Sequence, residues 1–284
     1  MASILLPRVI SCAFSSDPAQ GALNVHNNGS SFTVALNKPI SIPAAAVSCT
    51  VDVIQSNIWF VTPNISADLK NNNFYFSSAV TNPGSYHIVI PDGLYSLEDL
   101  NTTLGREFAN LGFASNIIVL TGDGPTSRSI LSFTIAGLEA DFTQANTIRS
   151  VLGFNARTSP ATPPSAAGQS DYSDLPASFN QTNNFYIRSS LIAGDGLPIN
   201  NEAAGIIASV PIDVAPGQQI IYQPQSPIDV DAASIIGRPI QSISFDLLDD
   251  QFQPINTVGE TWSVILHIHY SILLSTERVT LMSL

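Results

Sequence analysis

The segment Ile90–Phe113, IPDGLYSLEDLNTTLGREFANLGF, decides how the chain is read. Ser96 stands at an N-cap with Asp99 three residues on, in the capping-box place, and Glu98 and Asp99 suit the positive end of a helix dipole. Leu97, Leu100, Leu104, Phe108 and Leu111 recur at spacings of 3, 4, 4 and 3. They form one apolar stripe on a helix predicted for Leu97–Leu111, and Gly112 follows as its left-handed cap. No other stretch is a convincing helix. A lone amphipathic helix among strands must lay its stripe on a sheet, so the chain reads as an all-β body with one clamped helix.

Working outward toward the N-terminus, strands are predicted at Val9–Ser15, Ser31–Leu36 and Ala46–Val61. Phe32, Val34 and Leu36 alternate on one face, as do Val47, Cys49, Val51 and Val53. Ile40 and Ile42 continue past Pro39, which belongs at an edge because it cannot donate to a ladder. Phe74–Phe76 and Tyr86–Ile90 lead into the helix. Beyond it, Asn116–Leu120 and Ile130–Ile135 form a hairpin through Gly122–Pro125, and Thr147–Phe154 is a short helical turn ending at Gly153.

The composition then shifts. Arg157–Ser178 is rich in Pro, Ala, Ser and Thr and reads as a long surface loop or linker. Strands resume at Phe185–Ile192, Gly205–Ile212, Gln219–Gln223, Ile240–Leu248 and Thr261–Leu274. In the last, Trp262, Val264, Leu266, Ile268, Tyr270 and Ile272 alternate with Ser263, Ile265, His267, His269 and Ser271, the pattern of a central strand. About thirteen strands result. The expected division is an N-terminal β module over 1–156 carrying the helix 97–111, a loop or linker over 157–182, and C-terminal strands over 183–284 that complete or add a sandwich. The tetrapeptide Asn-Asn-Phe-Tyr occurs at Asn72–Tyr75 and at Asn183–Tyr186, which duplication of a module and the abundance of Asn both explain.

Only 11% of the 284 residues are charged, against roughly 25% in ordinary soluble domains. So little charge leaves a folded chain prone to associate, and much of its outside is expected to be covered by neighbouring subunits. The net charge of −12, with Lys38 and Lys70 the only lysines, excludes a basic patch for nucleic acid or anionic lipid. Cys12 and Cys49 are read as two buried thiols, with a disulfide between them as the other reading. The start, MASILLPRV, lacks the length and cleavage pattern of a secretory signal, and no run reaches the eighteen or so apolar residues of a membrane span. A soluble protein made in the cytosol is expected.

Chemistry is sparse. His267 and His269, at i and i+2 on one strand, point to one face, but no carboxylate or third histidine lies near them in sequence. They read as polar residues on the less buried face rather than a metal site. Asp246, Asp249, Asp250 and Gln251 have oxygens to offer a calcium ion but not the loop spacing of one, and Asp229–Asp231 is a second acidic turn. The GDGP and GDGLP turns, at Gly122 and Gly194, are tight loops rather than phosphate cradles, and there is no CxxC or GxSxG. No catalytic residue, metal ligand or cofactor site is expected, and the chain is not read as an enzyme.

IPDGLYSLEDLNTTL, the hairpin after it and Val151–Phe154 (VLGF) resemble the first half of capsid proteins from Polinton-like viruses, virophages and their relatives. RSSLIAGDGLPIN (188–200), IIASVPIDVAPGQQIIYQP (206–224) and SFDLLDDQFQPINTVGETWSVILHI (244–268) are similar to the second half, with Asp250 and Gln251 at the family's aspartate–glutamine pair. The Pro-rich Ser159–Pro176 has no counterpart in that pattern. The resemblance implies a viral jelly-roll β-sandwich with an inserted or appended second β domain, in a coat protein of an icosahedral DNA virus of the adenovirus–tectivirus lineage. It implies location in the virion after synthesis in the host cytoplasm. Two roles go with it: a homopentameric penton at the fivefold vertices, or a compact double jelly-roll major capsid protein forming homotrimers. Thirteen strands fall short of the sixteen or so that two jelly rolls need, which favours the penton. Its partners would be its own copies, neighbouring major capsid protein, and minor capsid or spike proteins, with no nucleic acid and no membrane insertion. A carbohydrate- or receptor-binding β module is the reading from another class, with Trp59, Tyr95, Tyr172 and Phe252 as candidate contacts.

Overall fold

The computed structural model describes residues 3–162, 165–179, 182–192 and 205–275; the turn expected at Gly194 lies outside them. The described residues are almost entirely β, with seventeen strands where about thirteen are legible from periodicity. The chain divides into two compact units, one made of Met1–Val61 and Thr182–Leu284 and one of Thr62–Gln181. The division therefore differs from the one expected at 157–182, because the strands on either side of 62–181 belong to one sandwich.

The first unit contains β1 (Ser3–Ser15), β2 (Ala22–His26), β3 (Ser31–Ser41) and β4 (Ala46–Trp59). The second contains β5 (Asn73–Ser78), β6 (Gly84–Val89), α1 (Leu97–Asn110), β7 (Ile118–Asp123), β8 (Arg128–Phe133), β9 (Leu138–Asp141), α2 (Arg149–Leu152), β10 (Thr158–Ser159) and β11 (Gln169–Pro176). The first unit then resumes with β12 (Asn184–Ser189), β13 (Ile206–Pro211), β14 (Gln219–Tyr222), β15 (Val230–Asp231), β16 (Pro239–Leu248) and β17 (Ser263–Ser275).

In the first unit, β1-β17-β4-β14 form one sheet, with β15 also on β4, and β13-β12-β16-β3-β2 form the other. Setting aside the short β2 and β15, the remaining strands pair antiparallel as first with last (β1 with β17), second with seventh (β3 with β16), third with sixth (β4 with β14) and fourth with fifth (β12 with β13). A long hairpin paired in that nested way and rolled into two sheets is a jelly roll. The aromatic core spans it: Phe14 of β1 meets Phe245 of β16 at 5.1 Å between ring centroids, and Phe32 of β3 meets the edge of Trp262 at 5.1 Å. The Trp262 indole N–H donates to the Gly29 carbonyl at 3.1 Å, so the ring is buried without orphaning its polar atom.

β17 is central, between β1 and β4, as its alternation predicts. Val264, Leu266 and Ile268 are buried inside the sandwich. β4 departs from simple alternation at two bulges. Ser271 pairs with Ser48 but Ile272 with Ala46, so Val47 is the extra residue; Ile265 pairs with Gln55 but Leu266 with Val53, so Ile54 is another. Val47 is therefore 57% exposed, while Cys49, Val51 and Val53 are buried.

In the second unit the sheets are β10-β9-β5-β6 and β11-β8-β7, which is not a jelly-roll order. The helix α1 forms where its periodicity places it. The Ser96 hydroxyl accepts from the Asp99 amide and the Asp99 carboxylate accepts from the Ser96 amide, a complete capping box. Hydrogen bonds from Ser96, first from its hydroxyl and then from its amide, hold the Asp99 pKa below the usual carboxylate value. Gly112 is left-handed, with φ +84°. Leu100, Leu104 and Phe108 are buried, Leu97 is half-buried, and Leu111 emerges at 37% exposure. Phe108 meets Phe76 edge-on at 5.2 Å and Phe74 at 6.2 Å. The Asn101 side chain accepts from the Leu120 amide at 2.8 Å, fastening α1 to β7.

Within the segment expected to be a loop over 157–178, Thr158–Ser159 and Gln169–Pro176 are instead strands. Strand β11 pairs with β8, and its small polar residues satisfy the edge: Ser170 bonds the Ser132 hydroxyl at 2.9 Å, and Ser173 accepts from the Ser129 amide at 3.1 Å. Arg157 then pins the strand, with Nη1 2.6 Å from Asp171, Nε 3.0 Å from Asp174, and Nη2 donating to the Tyr172 carbonyl at 2.8 Å. Polar composition hides a strand whose side chains are spent on hydrogen bonds. The repeated Asn-Asn-Phe-Tyr begins one strand in each unit, with Phe74 and Phe185 both fully buried, but the sheet orders of the two units differ. The repeat reflects strand starts, not duplicated modules. No helix among the described residues is long and apolar enough to cross a membrane.

Candidate functional site

His267 and His269 fall on β17 with their rings on the face away from the sandwich core, 5.6 Å apart between centroids and 74° to one another. Strand alternation puts them there. Across the ladder, Asp52 of β4 pairs with His267, and its Oδ1 lies 3.2 Å from Nε2 of His269. Sequence spacing left the histidines without a carboxylate because Asp52 is 217 positions from His269. Only the register brings it to them.

The carboxylates of the acidic turns are engaged by protein donors. Asp249 accepts from the Gln251 amide at 2.8 Å and the Gln253 amide at 2.9 Å, and Asp250 accepts from the Asn183 amide at 2.6 Å and the Asn184 amide at 3.2 Å. Asp246 pairs with Arg188 at 2.8 Å. Those carboxylates tie a turn and β12 together rather than converging on one point. Asp229 accepts from the Thr50 hydroxyl at 3.2 Å. Cys12 and Cys49 are both unpaired thiols. Burial raises the pKa of Cys12; burial, then the nearby Asp231, pushes Cys49 up to about 11, so both stay protonated and unreactive at neutral pH.

Each aromatic proposed as a ligand contact has its own local setting. The Tyr95 hydroxyl donates to the Pro91 carbonyl at 2.8 Å and its ring packs on the second unit's core. Phe252 lies 5.2 Å from the ring of Tyr186. Trp59 is half-buried opposite Gln219, and Tyr172 is half exposed on β11.

Apolar surface is the more prominent feature. Leu5 and Leu273 face each other across the β1–β17 ladder and are 55% and 51% exposed, and Val9, on the same side as Leu5, is 52% exposed. The second unit exposes Val80, Val89 and Leu175. Among the described residues the arginine–carboxylate pairs are those of Arg106, Arg157 and Arg188.

No protein-family model matches the chain, and no curated protein matches it. Among solved structures, the crystal structure of the selenomethionine-labelled mavirus penton protein is similar over 96% of this chain and 100% of that one, at 11% identity and a TM-score of 0.46. That likeness is too distant to carry a function across.

Proposed function

We propose that this chain is a structural capsid protein of an icosahedral DNA virus, a penton that forms homopentamers at the fivefold vertices and meets the neighbouring major capsid protein there. The observation that carries the proposal is the nested strand pairing of one complete jelly roll with a second β unit set into it between β4 and β12. Jelly rolls also serve lectins and cupins, so fold supplies only analogy. The surface favours a coat protein among them: 11% charged residues overall, with exposed Leu5, Val9 and Leu273 on one sheet face. A double jelly-roll capsomer would need a second jelly roll, and the order β10-β9-β5-β6 with β11-β8-β7 is not one. The family resemblance of the turns around Ile90–Tyr95 and Val151–Phe154 points the same way. Minor capsid or spike proteins are further partners of a vertex, and a net charge of −12 speaks against direct contact with nucleic acid.

A cyclic oligomer gives each subunit two different contact surfaces. With ten basic residues in the chain, those contacts are apolar and amide-rich rather than salt-bridged. The test is particle mass of the purified protein at low and at molar salt. Five copies at both are expected, because screening weakens charge pairs and leaves apolar burial intact. Three copies would favour a trimeric capsomer, and one copy at micromolar concentration would overturn both.

A further inference from the structure

We propose that Asp52, His267 and His269 form a binding site for a divalent transition-metal ion, zinc foremost, on the outward face of the sheet that holds β1, β17 and β4. The site does not depend on the capsid reading. One donor atom from each of the three residues lies within 4.8 Å of the others. An ion held tetrahedrally at about 2.0–2.1 Å from its donors sets those donors about 3.4 Å apart. The Asp52–His269 pair, at 3.2 Å, already stands at that spacing. The third donor, a ring nitrogen of the half-buried His267, lies within 4.8 Å of both.

The second observation is the state of Asp52. It is only 5% exposed, and among the described residues no arginine or lysine pairs with it and its one side-chain hydrogen-bond partner is the His269 ring nitrogen. A carboxylate taken that far out of water calls for a positive partner. The surroundings add negative charge rather than cancel it. Thr50, opposite His269, donates to Asp229, and Asp231 pairs with Thr50 on the next strand. Two imidazoles and one carboxylate suit zinc and its transition-metal neighbours, whereas calcium and magnesium want oxygen ligands throughout. Three protein donors leave a fourth position toward solvent, where the His269 side chain is 38% exposed. Water or a donor from another molecule would complete the shell. An ion there would also clamp β17 to β4.

The test uses the full chain, stripped with a chelator and dialysed, then titrated with zinc by calorimetry and with cobalt by its visible absorption. One ion per chain and a zinc-dependent rise in melting temperature are expected. Asp52→Asn and His267→Gln should each weaken zinc binding more than about tenfold, since even changes one shell beyond the ligands commonly cost about 10–100-fold. His87→Gln, which alters a histidine of the second unit, should leave binding unchanged. His267 is half-buried on the outward face, so His267→Gln remains decisive if Asp52→Asn does not fold. Absence of zinc binding, or binding that the His87 change weakens as much as the His267 change, would overturn the proposal and leave Asp52 and His269 as a simple side-chain pair.

Discussion

The carbonyl oxygen of Ser115 closes over Gly105 of α1 so tightly that a Cβ on that glycine would stand 2.8 Å from it. Two effects oppose each other on Gly105→Ala. Helix propensity favours alanine by about 1 kcal/mol. Forcing a methyl into a packed contact costs about 1–3 kcal/mol, and the atom in the way is backbone, which has no rotamer to turn. The variant is expected to be destabilised by about 1 kcal/mol net in a urea titration; a more stable variant would show that the turn at Ser115 yields freely.

Leu104 sits at the centre of the buried stripe, 1% exposed. Leu104→Asp would place an unpaired carboxylate among Phe74, Phe76 and Phe108, at a penalty of several kcal/mol. Loss of soluble, folded protein is expected. Recovery of wild-type amounts of folded protein would mean that the helix is dispensable to the fold.

Trp262→Phe keeps an aromatic ring in the sandwich but removes the bond to the Gly29 carbonyl and part of the ring volume. Together these should lower stability by about 2 kcal/mol. Chemical denaturation followed by far-ultraviolet dichroism measures it, and an unchanged midpoint would count against the bond.

Asp174 gives a pH dependence. Burial raises its pKa, but the Asn155 amide and the Arg157 guanidinium outweigh that, so the folded value lies below the ordinary one. A depressed carboxylate contributes stability above its unfolded pKa of about 3.9 and loses it as pH falls through the folded value. Asp174→Asn should therefore cost about 1–2 kcal/mol at pH 7. The difference should shrink as the pH falls below 4. A gap that stays constant down to pH 2 would assign the effect to packing rather than charge.

The helix, its capping box and the turn at Gly153 were legible in the sequence because each rests on contacts between near neighbours in the chain, and the central position of β17 was legible from its long apolar alternation. Strand β11 was not, since its stability comes from Arg157 and from paired hydroxyls rather than from alternating apolar residues. The outward displacement of Val47 was hidden for another reason: a bulge changes the phase of a strand without marking its composition. Asp52 belongs to the same class of miss. An acidic residue within a run of valines carries no hint of two histidines opposite, and only strand register reveals it. The division into units was obscured because β4 and β12, though far apart in sequence, share one sandwich.

The pairing of β1 with β17 also sets a clock. The Trp262 amide donates to the Ser16 hydroxyl across 246 positions of sequence, so at synthesis rates of about 5–20 residues per second β1 waits roughly 10–50 s for its partner to emerge. During that wait its unmatched edge is open to any passing strand. The inserted unit faces no such delay, because its sheets draw only on residues 62–181. Nascent chains arrested before β17 should thus carry a protease-resistant inserted unit and an unfinished sandwich, so the sandwich, unlike the unit inserted in it, can close only after β17 has been made.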